Sequence, residues 1–271
     1  MEKKTEILVI GGGPAGIVSA VTARKYYSSK KILVIKDVED GVIPCGIPYM
    51  FASLENPQDN ALGSASLEQN DIDVVIDKAD KVNRQEKYVQ TKKGDKYFYE
   101  KLVLAMGSVP VVLPIPGIDK KGVYAIYKEM GYLKEVISQV KQIKNVLIIG
   151  GGFIGVEFAD ELSKIKNMNV TLVEMLPNLF ANSFDEEFSQ MAECRLKEKN
   201  VNILTNTRID AILGDEKVQK VRFSDGQELL VDAVILGIGS KPNVQLAKEA
   251  GLEIGNCQGI LVDEYMRTTS D

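Results

Sequence analysis

The run Pro44-Cys45-Gly46-Ile47-Pro48-Tyr49 places a thiol in a turn bracketed by proline and glycine. The thiolate is the nucleophilic and redox-active form of cysteine, and a turn that opens a helix N-terminus favours it. Such a thiol could lie against a flavin ring; the plainer reading of Cys45 is a small apolar filler, as free cysteines commonly are. Cys194, read as mid-helix on an apolar face, and Cys257, in a loop rich in glycine and asparagine, read as structural. Histidine is absent from the sequence, which removes the commonest general acid/base and metal ligand together. Proton or electron traffic then rests on cysteine, carboxylate, lysine, tyrosine or a bound cofactor. No cluster of Cys, Asp and Glu has metal-ligand spacing, so no metal is expected.

Two glycine-rich turns of one design supply the place for cofactors. Gly11-Gly12-Gly13-Pro14-Ala15-Gly16 follows the apolar run Ile7–Ile10, and Gly150-Gly151-Gly152-Phe153-Ile154-Gly155 follows Val146–Ile149. Both read G-x-G-x-x-G at a strand-to-helix junction. There the glycines permit a tight turn and a close approach of backbone to a pyrophosphate seated on a helix N-terminus. Two such turns predict two bound dinucleotides, and the usual reason to hold two is to pass electrons between them.

An acidic residue at the end of the second strand of such a fold accepts hydrogen bonds from the adenosine ribose. Glu174 stands there in the second half, and its charge would repel a 2′-phosphate, so NAD(H) is expected over NADP(H). In the first half Lys36 takes that position, and Asp37, one residue later, is the substitute.

The positioning elements repeat as well. The first half reads as strands Ile7–Ile10 and Lys31–Ile35 around a helix opening at Pro14. Ile72–Ile76 follows, then short alternating strands at Lys81–Val82, Tyr88–Thr91 and Tyr97–Tyr99, and a last strand Leu102–Ala105 running into Gly107. The second half has Val146–Ile149, a helix to Ile165, Val170–Val173 and a helix Asp185–Lys199 opened by a Ser183/Glu186 capping box. It continues with Val201–Leu204, an antiparallel group at Ala211–Leu213, Val218–Phe223 and Gln227–Leu230, and Ala233–Leu236 running into Gly237-Ile238-Gly239. The duplication predicts an α/β protein of two Rossmann-like dinucleotide-binding domains with small antiparallel β inserts. Pro110, Pro114, Pro116 and Gly117 mark the crossover, giving domains 1–115 and 116–240 and a strand-like stretch Ile260–Asp263 within a returning segment 241–271.

A composition of 45% hydrophobic and 26% charged residues is that of a globular protein, and a net charge of −5 leaves no basic footprint for nucleic acid or anionic membrane. No apolar run approaches the roughly 20 residues that span a bilayer. The N-terminus leads directly into the first strand, so no signal peptide is expected. Three cysteines without paired spacing suit a reducing, cytoplasmic setting.

The set Gly11–Gly16, Cys45-Gly46-Ile47-Pro48-Tyr49, Ala105-Met106-Gly107-Ser108-Val109-Pro110, Gly150–Gly155 and Leu236-Gly237-Ile238-Gly239-Ser240-Lys241-Pro242-Asn243 resembles the FAD- and NAD(P)-dependent pyridine nucleotide-disulfide oxidoreductases. A single cysteine before Gly-x-Pro-Tyr is similar to the branch of CoA-disulfide reductases, NADH oxidases and persulfide reductases. The resemblance implies FAD in the first domain and NADH in the second. Electrons would pass through flavin to Cys45, held as a mixed disulfide or sulfenic acid. It implies cofactor contacts at Ala105, Gly107, Gly237 and Gly239 and at the Val82 backbone, and places Glu157 near nicotinamide and flavin. Glu157 also reads as a solvated helix carboxylate, and Tyr49 as a proton donor or a packing residue.

Two residues depart from the family pattern. Met106 replaces a threonine, and Pro14 stands where the peroxidase and water-forming oxidase branches carry a histidine. The second departure favours a disulfide or persulfide acceptor over oxygen. The alternatives are an NADH oxidase, a reductase feeding a small redox protein, and an incomplete nucleotide-binding module. Family chains continue into the rest of the FAD domain and a dimerisation domain, so a longer, homodimeric form is expected.

Overall fold

The computed structural model describes residues 1–269 and divides into two units. The first comprises Met1–Ile43, Ala61–Val109 and the segment from Lys241 onward; the second comprises Pro44–Asn60 and Pro110–Ser240.

In the first unit a four-stranded parallel sheet runs in the order Lys101–Leu104, Ile7–Ile10, Ile32–Lys36, Asp73–Ile76. Its central strands are continuous apolar runs because both faces are covered. Leu8, Ile10, Leu33 and Ile35 pack on one side with Val82, Val89 and Tyr97. Val9, Ile32 and Val34 pack on the other with Ile17 and Ala20 of the helix Pro14–Tyr26. The antiparallel insert Ala79–Asn83, Tyr88–Thr91, Lys96–Phe98 is extended by Glu2–Lys4, which pairs parallel to its last strand.

The second unit repeats the plan with a five-stranded parallel sheet: Val123–Ala125, Ala233–Leu236, Asn145–Ile149, Asn169–Val173, Asn202–Leu204. The helices Met130–Val140, Phe153–Ser163 and Glu186–Glu198 accompany it. The three-stranded antiparallel insert Ile209–Leu213, Lys220–Phe223, Glu228–Leu230 closes over Leu147, Ile149, Val173, Val234 and Leu236. The α/β class with two duplicated dinucleotide folds is therefore as the sequence implies.

Three local expectations are corrected. The helix Glu186–Glu198 is capped by Asp185, whose carboxylate accepts the Phe188 N–H at 3.3 Å, and not by Ser183. Ser183 stands two residues ahead of that cap, in a turn where its N–H donates to the Phe180 carbonyl at 2.7 Å, so its hydroxyl is off the N-cap position. Cys194 lies on the exposed side of that helix, whose buried residues are Ser189 and Leu196. The Ile260–Asp263 stretch makes a single bridge, Ile260 to Ile254, and forms no strand, since among the described residues no further partner extends the ladder. Among the described residues no helix is long and apolar enough to cross a membrane.

Candidate functional site

The two glycine turns are built alike down to individual hydrogen bonds. Gly11 and Gly150 sit at φ +114° and +108°, a region open to glycine, and their N–H groups donate to Ile35 and Val173 carbonyls, each at 2.8 Å. A Cβ on Gly16 would fall 1.9 Å from the Gly11 carbonyl oxygen, and one on Gly155 would fall 1.8 Å from that of Gly150. These third glycines let the helix press on the strand end. Gly13 and Gly152 differ: each is the N-cap of its helix, and a Cβ on either would meet nothing within 4 Å. Neither helix has a capping side chain or an acid in its first turn, so the first N–H groups and the positive end of the dipole stay free for an anion. Pro14 and Ala15 lie exposed on one rim; Phe153 is exposed and Ile154 half-buried on the other.

The neighbouring strand ends repeat too. Ala105 N–H donates to Ile10, and Gly237 N–H to Ile149, both at 2.8 Å. Gly107 (φ +66°) and Gly239 (φ +94°) turn the chain beyond them in open space. Asn243, which ends the run begun at Leu236 but is not among the expected cofactor contacts, returns to donate its N–H to Gly107 at 2.9 Å and its side-chain amide to Met106 at 3.4 Å.

The two positions expected to meet a ribose are opposite in charge. Glu174 accepts the Gly151 N–H at 2.6 Å on one oxygen and the Leu176 N–H at 2.8 Å on the other. Each oxygen keeps acceptor capacity for a hydroxyl. Lys36 runs beneath the first turn, where a Cβ on Gly12 would lie 2.8 Å from its Cβ and Cδ. Its ammonium donates to the Glu39 carbonyl at 2.7 Å and to Ser64 Oγ at 3.1 Å. Burial pulls the Lys36 ammonium below its ordinary value, opposed by Asp40, Glu39, Asp37 and Glu68. Asp37 is exposed and lines a cavity of about 350 Å³ together with Gly11, Lys36, Asp80, Met106 and Asn243. The Val82 side chain belongs to the core beneath, leaving only its backbone for a ligand.

Cys45 lies in a 3₁₀ turn, Pro44–Gly46, followed by a second, Pro48–Phe51, which carries the exposed Tyr49. An α-helix N-terminus at Cys45 is thus replaced by two single turns: Pro44 and Pro48 can open a turn but cannot donate within one. Cys45 is exposed. Asn60 packs against Gly46, where a Cβ would meet Asn60 Oδ1 at 1.9 Å, and donates to Met50 Sδ at 3.2 Å. Lys128 shares this unit: burial lowers its ammonium, and the charge of Cys45 acts in the other direction. Glu157, on the Phe153–Ser163 helix, is exposed, and desolvation along that helix pushes its carboxyl up.

Two turns of this geometry, each on its own parallel sheet, define a protein with paired Rossmann-type dinucleotide sites. Residues 5–271 match the pyridine nucleotide-disulphide oxidoreductase family, and the chain belongs to it. FAD and NAD(H) are the cofactors of that family. Glycine cradles that a Cβ would fill, above uncapped helix N-termini, fit the pyrophosphates of both. The chain is 32% identical to an NADH oxidase of Methanocaldococcus jannaschii over 97% of its own length and 60% of that protein's. It is equally 32% identical to an NAD(P)H coenzyme A polysulfide/persulfide reductase of Pyrococcus horikoshii, over 98% and 60%. The solved NAD-dependent persulfide reductase from A. fulgidus superposes with a TM-score of 0.90 at 31% identity, over 99% of this chain and 51% of that one. The chain thus spans 60% of the length of those two curated relatives.

Proposed function

We propose that this chain carries the two nucleotide sites and the redox thiol of an NAD(P)H:disulfide oxidoreductase whose acceptor is a CoA-type disulfide or persulfide. The supporting observation is the duplication of an open pyrophosphate cradle in a chain that also carries an exposed thiol, Cys45, in a Pro/Gly turn. The first unit takes FAD, with Gly11, Gly13, Pro14, Ala15 and Gly16 at the pyrophosphate and Asp37 at the ribose. The second takes NAD(H), with Gly150, Gly152 and Gly155 at the pyrophosphate and Glu174 at the ribose.

Cys45, as thiolate, attacks a disulfide R–S–S–R′, forming a Cys45–S–S–R bond and releasing R′–S⁻, which takes a proton. Bound NADH and FAD supply the electron pair that reopens that bond. Reopening returns the Cys45 thiolate and releases R–S⁻, which takes a second proton. The sum is one disulfide and two electrons in, two thiols out. Tyr49 stands in the turn after Cys45 as the proton donor, and Glu157 orients the nicotinamide side. The absence of histidine and the presence of Pro14 in the first turn favour a sulfur acceptor over oxygen. The compartment we propose is the cytoplasm, where Cys45 stays reduced, and the longer form is a homodimer.

An anaerobic NADH titration of the FAD-loaded protein tests this. A long-wavelength charge-transfer band that disappears in Cys45→Ser is expected. Plain bleaching identical in both proteins would remove Cys45 from the reaction and favour direct oxidation by oxygen.

A further inference from the structure

The segment bearing Cys45 and Tyr49 is gripped by one face of the helix that begins at the second glycine turn. Phe158, Glu161 and Lys164 follow at intervals of three, a spacing that aligns side chains along a helix. Phe158 meets Phe51 edge-on with ring centroids 5.0 Å apart. The Ser53 N–H donates to Glu161 Oε2 at 3.0 Å, and Lys164 Nζ donates to Ser53 Oγ at 3.0 Å and to Glu161 Oε1 at 2.5 Å. Ser53 lies in the turn that closes when the Leu54 N–H donates to the Tyr49 carbonyl at 2.9 Å.

Glu161 is 2% exposed. A carboxylate so buried is costly unless paired and hydrogen-bonded, and an apolar side chain would suit helix packing better. Here both oxygens are engaged: one by a lysine at the rim, the other by a backbone donor distant in sequence. Such a bond fixes the path of the backbone it holds, which apolar contact alone does not.

We infer that Glu161 is the positioning residue that sets the Cys45–Tyr49 segment on the helix carrying the second nucleotide turn. The consequence for chemistry rests on the proposed redox role of Cys45; the placement itself does not. Hydrogen exchange of the whole chain reads the placement directly. Glu161→Ala is expected to speed exchange in residues 47–54 about tenfold or more, the size of a lost hydrogen bond to a charged acceptor. Strands Asn145–Ile149 and Asn169–Val173 should stay unchanged. Glu161→Gln keeps an oxygen for the Ser53 N–H and is expected to stay near the wild-type rate. Unchanged exchange in Glu161→Ala, or acceleration spread evenly through the helix and its strands, would overturn the inference. In the FAD-loaded protein, Glu161→Ala should also weaken the Cys45-dependent charge-transfer band while NADH affinity holds. A wild-type protein without that band would defeat the redox reading and leave the exchange result to decide the placement.

Discussion

Glu174 and Gly151 are joined by a 2.6 Å hydrogen bond from the glycine N–H to the carboxylate, so the residue proposed to read the ribose also braces the turn proposed to hold the pyrophosphate. The second carboxylate oxygen takes the Leu176 N–H at 2.8 Å, which prevents the group from swinging away from a bulkier, charged ribose. Glu174→Ala is therefore expected to raise the NADH dissociation constant about tenfold or more and to narrow the preference for NADH over NADPH. Fluorescence titrations with the two nucleotides check both effects. Unaltered binding of each would take Glu174 out of the site.

Glycines of one motif are expected to fail in different ways. Gly155→Ala drives a methyl group into the Gly150 carbonyl, 1.8 Å away, at a place where both partners are backbone. Its cost should be about 1–3 kcal/mol or more, visible in the urea midpoint. Gly152→Ala meets nothing within 4 Å at an extended backbone position, and the gain of about 0.4–1 kcal/mol from a stiffer unfolded chain is offset by the poorer N-cap that alanine makes, so stability should stay within about 1 kcal/mol of wild type. The new methyl group would nevertheless occupy space reserved for pyrophosphate, so NADH binding should weaken in a protein that folds normally. Gly16 and Gly13 form the matching pair for the first unit.

Lys36 cannot be exchanged for the usual acid without consequence. Asp37, Glu39, Asp40 and Glu68 all act on its ammonium, and a carboxylate placed there would face four like charges. Lys36→Glu should destabilise the chain by about 2 kcal/mol or more, while Lys36→Met, which removes the desolvation of a buried cation, should stay within about 1 kcal/mol of wild type. Urea unfolding at pH 7 distinguishes them. A stable Lys36→Glu protein would show that the loop 37–40 rearranges freely.

Tyr132 gives a pH prediction. Burial, with Tyr127, Tyr124 and Glu135 adding to it, pushes its phenol up from 10.0 to about 12, and its hydroxyl donates to the Ala125 carbonyl at 2.7 Å. A group whose pKa is raised on folding contributes stability that is whole below its unfolded value and fades as pH rises through the folded one. Between pH 10.0 and about 12 the wild type should lose up to about 2 kcal/mol through this residue, reduced because the ring is only half-buried. Melting temperatures of wild type and Tyr132→Phe should converge across that window. Parallel curves would assign the alkaline loss to other groups.

The amino-acid order alone determined the two glycine turns, the strands that feed them, the duplication and the isolated cysteine. These are local patterns: an apolar run covered on both faces, a glycine wherever a Cβ cannot fit, a proline in a first helical turn. It also pointed to Glu174 as the residue proposed for a ribose and exposed the mismatch at Lys36. Tertiary structure alone decided what those residues touch. The bond from Gly151 to Glu174, the path of Lys36 beneath Gly12 to Ser64, and the return of Asn243 to Gly107 join residues remote in the chain. The grouping of residues 44–60 with the second unit, through Phe51, Ser53, Phe158 and Glu161, has no periodic signal at all. At the start of the Glu186–Glu198 helix, Ser183 and Asp185 are both good cap residues, and only the point at which the backbone turned helical, directly after Asp185, gave the role to Asp185. Local preference is set by side-chain type and spacing; the choice among partners far apart in sequence is made only when the backbone brings their donors and acceptors within reach.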